Sequence, residues 1–277
     1  MKPGEVAAAI GVELVGRMEH GQSGGAFDVR TADGDRAVLK VHTGDVLDLS
    51  APSAFVDALR ARGYPTPSLL AAGEVDGSGY ELQEGLPGAP MEQLTPALLP
   101  HVLALNAFQR DIGVVGRGPW VDEMVSTILD GRTGYCEHTA MAEHSDETRE
   151  LLARLFRMAD RSRGLQVPDT DVVHYDFSPY NVLTDKDRIV GVVDWNGATN
   201  GDAAFDLVTL ALYTVDYPLR DELLAAAAEH TDPAALGLYA AHMVLRQIDW
   251  TLRHGEDFEL QWFLGLGTHL LAAVSAE

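Results

Sequence analysis

Apolar and polar residues alternate with a period of two along much of the first third of the chain, from Val12 to Val41. Ala26–His42 reads as a hairpin turning at Asp33-Gly34, with a glycine-rich bend, "GQSGGAF", just before it at 21–27. The period then lengthens. Phe55, Val56 and Leu59 share one face of a helix over about 51–62, with Pro52 in its first turn and Gly63 as its stop. "YPTP" at 64–67 enforces extended chain, and "SLLAAGEVDGSGYELQE" at 68–84 predicts a second strand pair. Two glycines and two prolines in "GLPGAP", 85–90, mark a boundary, so the expected domains are 1–84 and 85–277.

Beyond that boundary the spacing is mainly helical. Leu98, Val102, Leu105 and Ile112 mark one helix, and 147–163 marks another with charges on its outer face. Segment 113–146 has no clear period and reads as an irregular insert. Two short strands, 171–174 and 188–195, are expected to pair as a hairpin, and helices over 203–214, 218–230, 233–254 and 257–274 follow. The class is α+β: a small β-rich N-lobe, a hinge, and a larger mainly helical C-lobe.

Composition narrows the function. A formal net charge of −22 argues against a nucleic-acid partner and makes cationic small molecules the better expectation, although the acids are spread along the whole chain. No apolar run approaches the roughly 20 residues of a membrane span, and no leader opens the sequence, so a soluble cytoplasmic protein is expected. With Cys136 the only cysteine, an internal disulfide is excluded. Only three residues are lysines, and one, Lys40, lies inside a strand pattern.

Chemistry concentrates in "VVHYDFSPYNVL", 172–183, which sets His174, Asp176 and Asn181 among apolar residues, and in Asp194-Trp195 thirteen residues after Asn181. If the two short strands pair, Asp176, Asn181 and Asp194 converge at one mouth. Carboxylates and an amide oxygen are hard ligands that suit magnesium, which takes substrate phosphates for its remaining positions. The site therefore suggests a nucleotide.

His174-x-Asp176-x-x-x-x-Asn181 followed by Asp194-Trp195 resembles the motifs of the aminoglycoside phosphotransferase and choline kinase family, which has a bilobal protein-kinase-like fold. "VLK" with Lys40, "GYPTP" at 63–67, "LPG" at 86–88 and "GDAAFDL" at 201–207 fall in matching order. The resemblance implies an ATP- and magnesium-dependent phosphotransferase acting on an alcohol, with GTP not excluded. It implies that Asp176 is the catalytic base or orients the nucleophile, and that Asn181 and Asp194 hold magnesium. Lys40 and backbone near Ser23, Gly24 and Gly25 would meet phosphates, and main chain around Glu84 and Leu86 would meet adenine. His174 and Asp206 would order the loop; Asp202 is an N-cap or a substrate contact. Two departures stand out: Pro52 occupies the place of the family's helix glutamate, leaving Asp48 or Asp57 as possible partners of Lys40, and Asn196 stands where many relatives have an acid.

For the substrate, a hydroxyl of a cationic antibiotic is expected, with Asn196, Asp249, Glu256 and Asp257 as candidate contacts; solvated surface is the plain alternative for the late acids. Other readings are a kinase of a small metabolite, a non-catalytic nucleotide-binding module, and an iron site formed by His174, Asp176 and a distant histidine such as His230.

Overall fold

The structure, a computed structural model, describes residues 2–18, 25–43, 50–113, 119–132, 134–255 and 257–275. In chain order the strands are β1 (Glu13–Arg17), β2 (Ala26–Arg30), β3 (Arg36–Thr43), β4 (Leu69–Val75), β5 (Ser78–Glu84), β6 (Ala89–Pro90), β7 (Asp171–Val173), β8 (Val182–Asp185), β9 (Arg188–Val192) and β10 (Thr199–Gly201). The helices are α1 (Pro3–Ala9), α2 (Ser50–Ala61), α3 (Leu99–Phe108), α4 (Trp120–Asp130), α5 (Thr139–His144), α6 (Asp146–Arg161), α7 (Ala204–Tyr213), α8 (Tyr217–Ala228), α9 (Pro233–His254) and α10 (Asp257–Ala273). They fall into two compact units: Met1–Glu92 with Pro179–Ala198, and Gln93–Ser178 with Thr199–Glu277. The glycine-proline stretch 85–90 thus lies inside the first unit, and the segment carrying Asn181 and Asp194 returns to it.

The first unit is built on an antiparallel sheet in the order β1-β2-β3-β5-β4. Its hairpins turn where the sequence supplies residues that accept positive φ: Asp76 and Gly77 take +47° and +78° between β4 and β5. Val29, Ala37, Leu39 and Leu82 project from one face and bury against Val6 and Ala7 of α1, a helix opened by Pro3. Burying a side chain such as Leu39 contributes roughly 2 kcal/mol.

β8 and β9 form an antiparallel hairpin in this unit, with Val182 opposite Val192 and Lys186 at φ +54° in the turn. The pairing expected between 171–174 and 188–195 is therefore not the one formed. The four residues Val182–Asp185 provide a nearer partner across a two-residue turn, and β7 pairs instead with β10 in the second unit.

The second unit is mainly helical. α7 is buried from Ala204 to Leu212, and α9 buries Leu238, Tyr239, Ala241, Leu245 and Ile248. α3 ends at Phe108, so Ile112 lies beyond it. The segment 113–146, expected to be irregular, contains α4 and α5; Trp120, Val121, Met124, Val125 and Ile128 form the buried face of α4. Gly201 of β10 is required by packing, since a Cβ there would sit 2.5 Å from the Trp120 ring.

Candidate active site

In the first unit, the β8–β9 ladder extends one step past Val182 and Val192, because Val193 N–H donates to the Asn181 carbonyl at 2.9 Å. Asn181 and Asp194 therefore leave the same end of the hairpin. Asp194 adopts φ +68°, a left-handed conformation that costs about 1 kcal/mol or more and is held by its surroundings. Trp195, buried behind it, donates its indole N–H to Val192 O at 3.0 Å and packs edge-on against Tyr64.

Lys40 lies on β3 opposite Glu81 of β5, and its Nζ is 2.7 Å from Asp194 Oδ1. A basic residue in the sheet and an acid at the hairpin end are thus joined directly. Asp57 is exposed on α2, while Asp48 lies outside the described residues. Ser23 and Gly24 also lie outside them. Gly25 is described: its carbonyl accepts from Val41 N–H at 3.0 Å, and a Cβ would stand only 3.1 Å from Val41 O.

At the end of β5, the Glu84 carboxylate accepts from Ser68 Oγ at 2.9 Å and lies 3.3 Å from an Arg60 nitrogen. Burial works to raise this carboxyl, but the Ser68 and Arg60 interactions outweigh it and hold the pKa below the ordinary value. Arg36 binds the Leu86 carbonyl at 3.1 Å and Asp28 at 2.9 Å. Gly85 permits this approach, as a Cβ would meet the Arg36 carbonyl oxygen at 2.8 Å.

Asn196, considered a substrate contact, donates from Nδ2 to Glu81 Oε1 at 3.2 Å within the first unit. Glu81 is buried and also accepts from His42 Nε2 at 2.7 Å and Gln83 Nε2 at 3.1 Å. Pro52, Val56, Glu81, Trp195 and Asn196 are among the residues lining a small cavity of about 30 Å³ at this point.

In the second unit, Asp176 follows β7 on a loop bent sharply at Tyr175, whose φ is +73°. Asp206, in the first turn of α7 and fully buried, accepts from His174 N–H at 2.8 Å, Tyr175 N–H at 3.1 Å and Gln109 Nε2 at 2.6 Å. Burial raises the Asp206 carboxyl above the ordinary range, against the lowering effect of His174 and these hydrogen bonds. The His174 ring, also buried, accepts from Asp176 N–H through Nδ1 at 3.2 Å.

Two residues one turn apart on α9 complete the loop. Arg246 donates from Nη1 to Tyr175 O and from Nη2 to Asp176 Oδ1, both at 2.8 Å. Burial lowers the Arg246 guanidinium, yet the Asp176 carboxylate together with Tyr135, Tyr213 and Tyr175 outweighs it and holds the pKa above its ordinary value. His242 Nε2 stands 3.1 Å from the hydroxyls of both Tyr175 and Tyr135. Burial first, then the charges of Arg246 and Arg132, push His242 down to about 3, so its ring is neutral. Arg246, His242 and Glu81 carry no motif signal; for the α9 pair, only their i, i+4 spacing hints at a shared inward face.

The remaining candidates are dispersed. Asp202 is buried beneath α9, accepting from Tyr239 Oη at 2.7 Å, from Thr231 Oγ1, and from Ala204 N–H at 2.9 Å; burial raises its pKa to about 6. Asp249, 1% exposed, gives both oxygens to Arg253, which reaches on to Gly134 O. Asp257 is exposed in the first turn of α10, and Glu256 lies outside the described residues. His230 is exposed beside Glu229, and among the described residues no three His, Cys, Asp or Glu side chains are grouped to hold a metal, so no iron triad forms.

An antiparallel β-rich unit with a helical unit, a sheet lysine joined to a hairpin acid, and a buried aspartate holding an His-Tyr-Asp loop define a kinase-like fold. Solved structures share it. The chain aligns with a thermostable mutant of aminoglycoside phosphotransferase APH(4)-Ia, in ternary complex with ADP and hygromycin B, at TM-score 0.70 and 20% identity over 97% of each chain. The same enzyme with AMP-PNP and hygromycin B gives 0.71 and 21% over 99% of this chain and 98% of that one. Choline kinase LicA from Streptococcus pneumoniae gives 0.61 and 14%, over 99% and 98%. Comparison with curated sequences finds no match. The model of the phosphotransferase enzyme family matches residues 15–242, and the chain belongs to that family.

Proposed function

We propose that this protein is an ATP- and magnesium-dependent phosphotransferase that moves the γ-phosphoryl group to a hydroxyl of a small cationic compound, an antibiotic of the aminoglycoside or basic peptide type, and so confers resistance. The observation that carries the proposal is the 2.7 Å bond between Lys40 and Asp194 beside Asn181, in a chain that matches the phosphotransferase family.

The donors fit magnesium: Asn181 and Asp194 offer hard oxygens from one hairpin end, and Lys40 already neutralises Asp194. When bound, the ion supplies charge neutralisation for the nucleotide phosphates. Lys40 then serves the α- and β-phosphates, and the backbone at Gly25 and the main chain at Glu84 and Leu86 serve phosphate and adenine. Asp176 accepts a hydrogen bond from the substrate hydroxyl, takes its proton as the oxygen bonds to phosphorus, and ADP leaves. Such transfer relies on positioning and electrostatics more than on covalent chemistry by the protein. The Asp206, His174 and Arg246 contacts support Asp176 in that role.

A net charge of −22 and the hygromycin B complexes of structurally similar enzymes favour a cationic substrate. The choline kinase similarity favours a second reading, a kinase of a small metabolite hydroxyl. Titration of ATP with magnesium into wild type and Asp194→Ala tests the nucleotide site. Wild type is expected to bind in a magnesium-dependent manner and the variant to lose that dependence; equal affinity would remove Asp194 from the metal site.

A further inference from the structure

Pro52 of α2 and Asn196, which follows Asp194-Trp195, both come to Glu81. Pro52 lines the cavity that Glu81 and Asn196 also line, so no side-chain carboxylate arrives from that point of α2. Glu81 supplies one from β5 instead. It lies opposite Lys40 in the ladder, is only 2% exposed, and receives three hydrogen bonds: from His42, Gln83 and Asn196.

The Asn196 bond is the consequential one. Asp194 enters the 194–197 turn in a left-handed conformation, which an aspartate keeps only where its neighbours hold it. On one side the turn is fixed by Trp195 packing on Tyr64, and on the other by the Asn196 amide on the buried carboxylate. An amide is needed there. An aspartate at 196 would set a second carboxylate against the buried Glu81 carboxylate, and like charges at hydrogen-bond distance repel.

We infer that Glu81 is a positioning residue for Asp194, acting through Asn196. The inference rests on the nucleotide-binding reading of Asp194. Asn196→Asp is expected to weaken binding of ATP with magnesium about tenfold and to speed amide hydrogen exchange in residues 194–197. Glu81→Gln combined with Asn196→Asp restores one donor and one acceptor with the roles exchanged, and is expected to return both quantities to within about threefold of wild type. An unchanged single variant, or a double variant no better than the single, would overturn the inference. Exchange is read without nucleotide, so if wild type failed to bind ATP the functional reading would fall while the exchange data still decided the anchor.

Discussion

His242 is the buried group whose titration is most sharply constrained. Its Nε2 faces the hydroxyls of Tyr135 and Tyr175, Arg246 stands one turn along α9, and Arg132 contributes further positive charge. The unfolded chain protonates this side chain near 6.5, the folded protein only near about 3. Because the folded value is depressed, stability is complete above pH 6.5 and is lost as pH falls through the window from 6.5 towards 3. At pH 5 the difference amounts to about 1.5 pH units of one-proton linkage, roughly 2 kcal/mol. Asp202 runs the other way: raised from 3.8 to about 6, it is protonated more readily when folded, and lowering the pH to 5 recovers roughly 1.4 kcal/mol. The raw pH curve of wild type therefore conceals both. Urea unfolding of wild type and His242→Gln at pH 7.5 and 5 separates them, because Asp202 is common to the two proteins. Wild type should lose roughly 2 kcal/mol relative to the variant over that interval. A stability gap that stays constant would refute the neutral, charge-enclosed His242 and with it this account of how Tyr175 is held.

Arg246→Lys keeps the charge but not the two-pronged reach to Tyr175 O and Asp176. A charge-assisted hydrogen bond is worth roughly 1.5–3 kcal/mol, so kcat should fall about ten- to a hundredfold while the KM for ATP stays near wild type; steady-state kinetics would disprove this by an unchanged kcat. Gly201→Ala should lower stability by roughly 1–3 kcal/mol through the clash with Trp120, and an unaltered denaturation midpoint would show that the ring moves aside at no cost.

Much of the fold is legible in the sequence because the local signals agree with the final packing. The alternation over 26–42, the Asp76-Gly77 turn and the four last helices all follow from side-chain period and turn chemistry. α4 was legible in principle, since Val121, Met124, Val125 and Ile128 keep helical spacing, but its signal is embedded between glycine-rich stretches. β7 misleads because three residues carry no information about their partner; only tertiary context sends it to β10. At the candidate site the same contrast holds. Lys40, Asp176, Asn181 and Asp194 stand out as polar residues in apolar surroundings with motif spacing. Arg246 and Glu81 do not, since the bonds Arg246 makes to Asp176 and Asn196 makes to Glu81 are properties of two distant segments rather than of either one. Among the late acids, Asp249 shows that charge does not imply exposure: it is buried under Arg253 on its own helix.

The central claim is that Asp176 orients a substrate hydroxyl for phosphoryl transfer. It is tested most directly by measuring ADP release from ATP and magnesium across a panel of hydroxyl-bearing cationic antibiotics and small metabolites, with wild type and Asp176→Asn. Substrate-dependent release by wild type, abolished in the variant while nucleotide binding persists, is the predicted result. Equal release by the two proteins, or no compound that stimulates wild type, would contradict it.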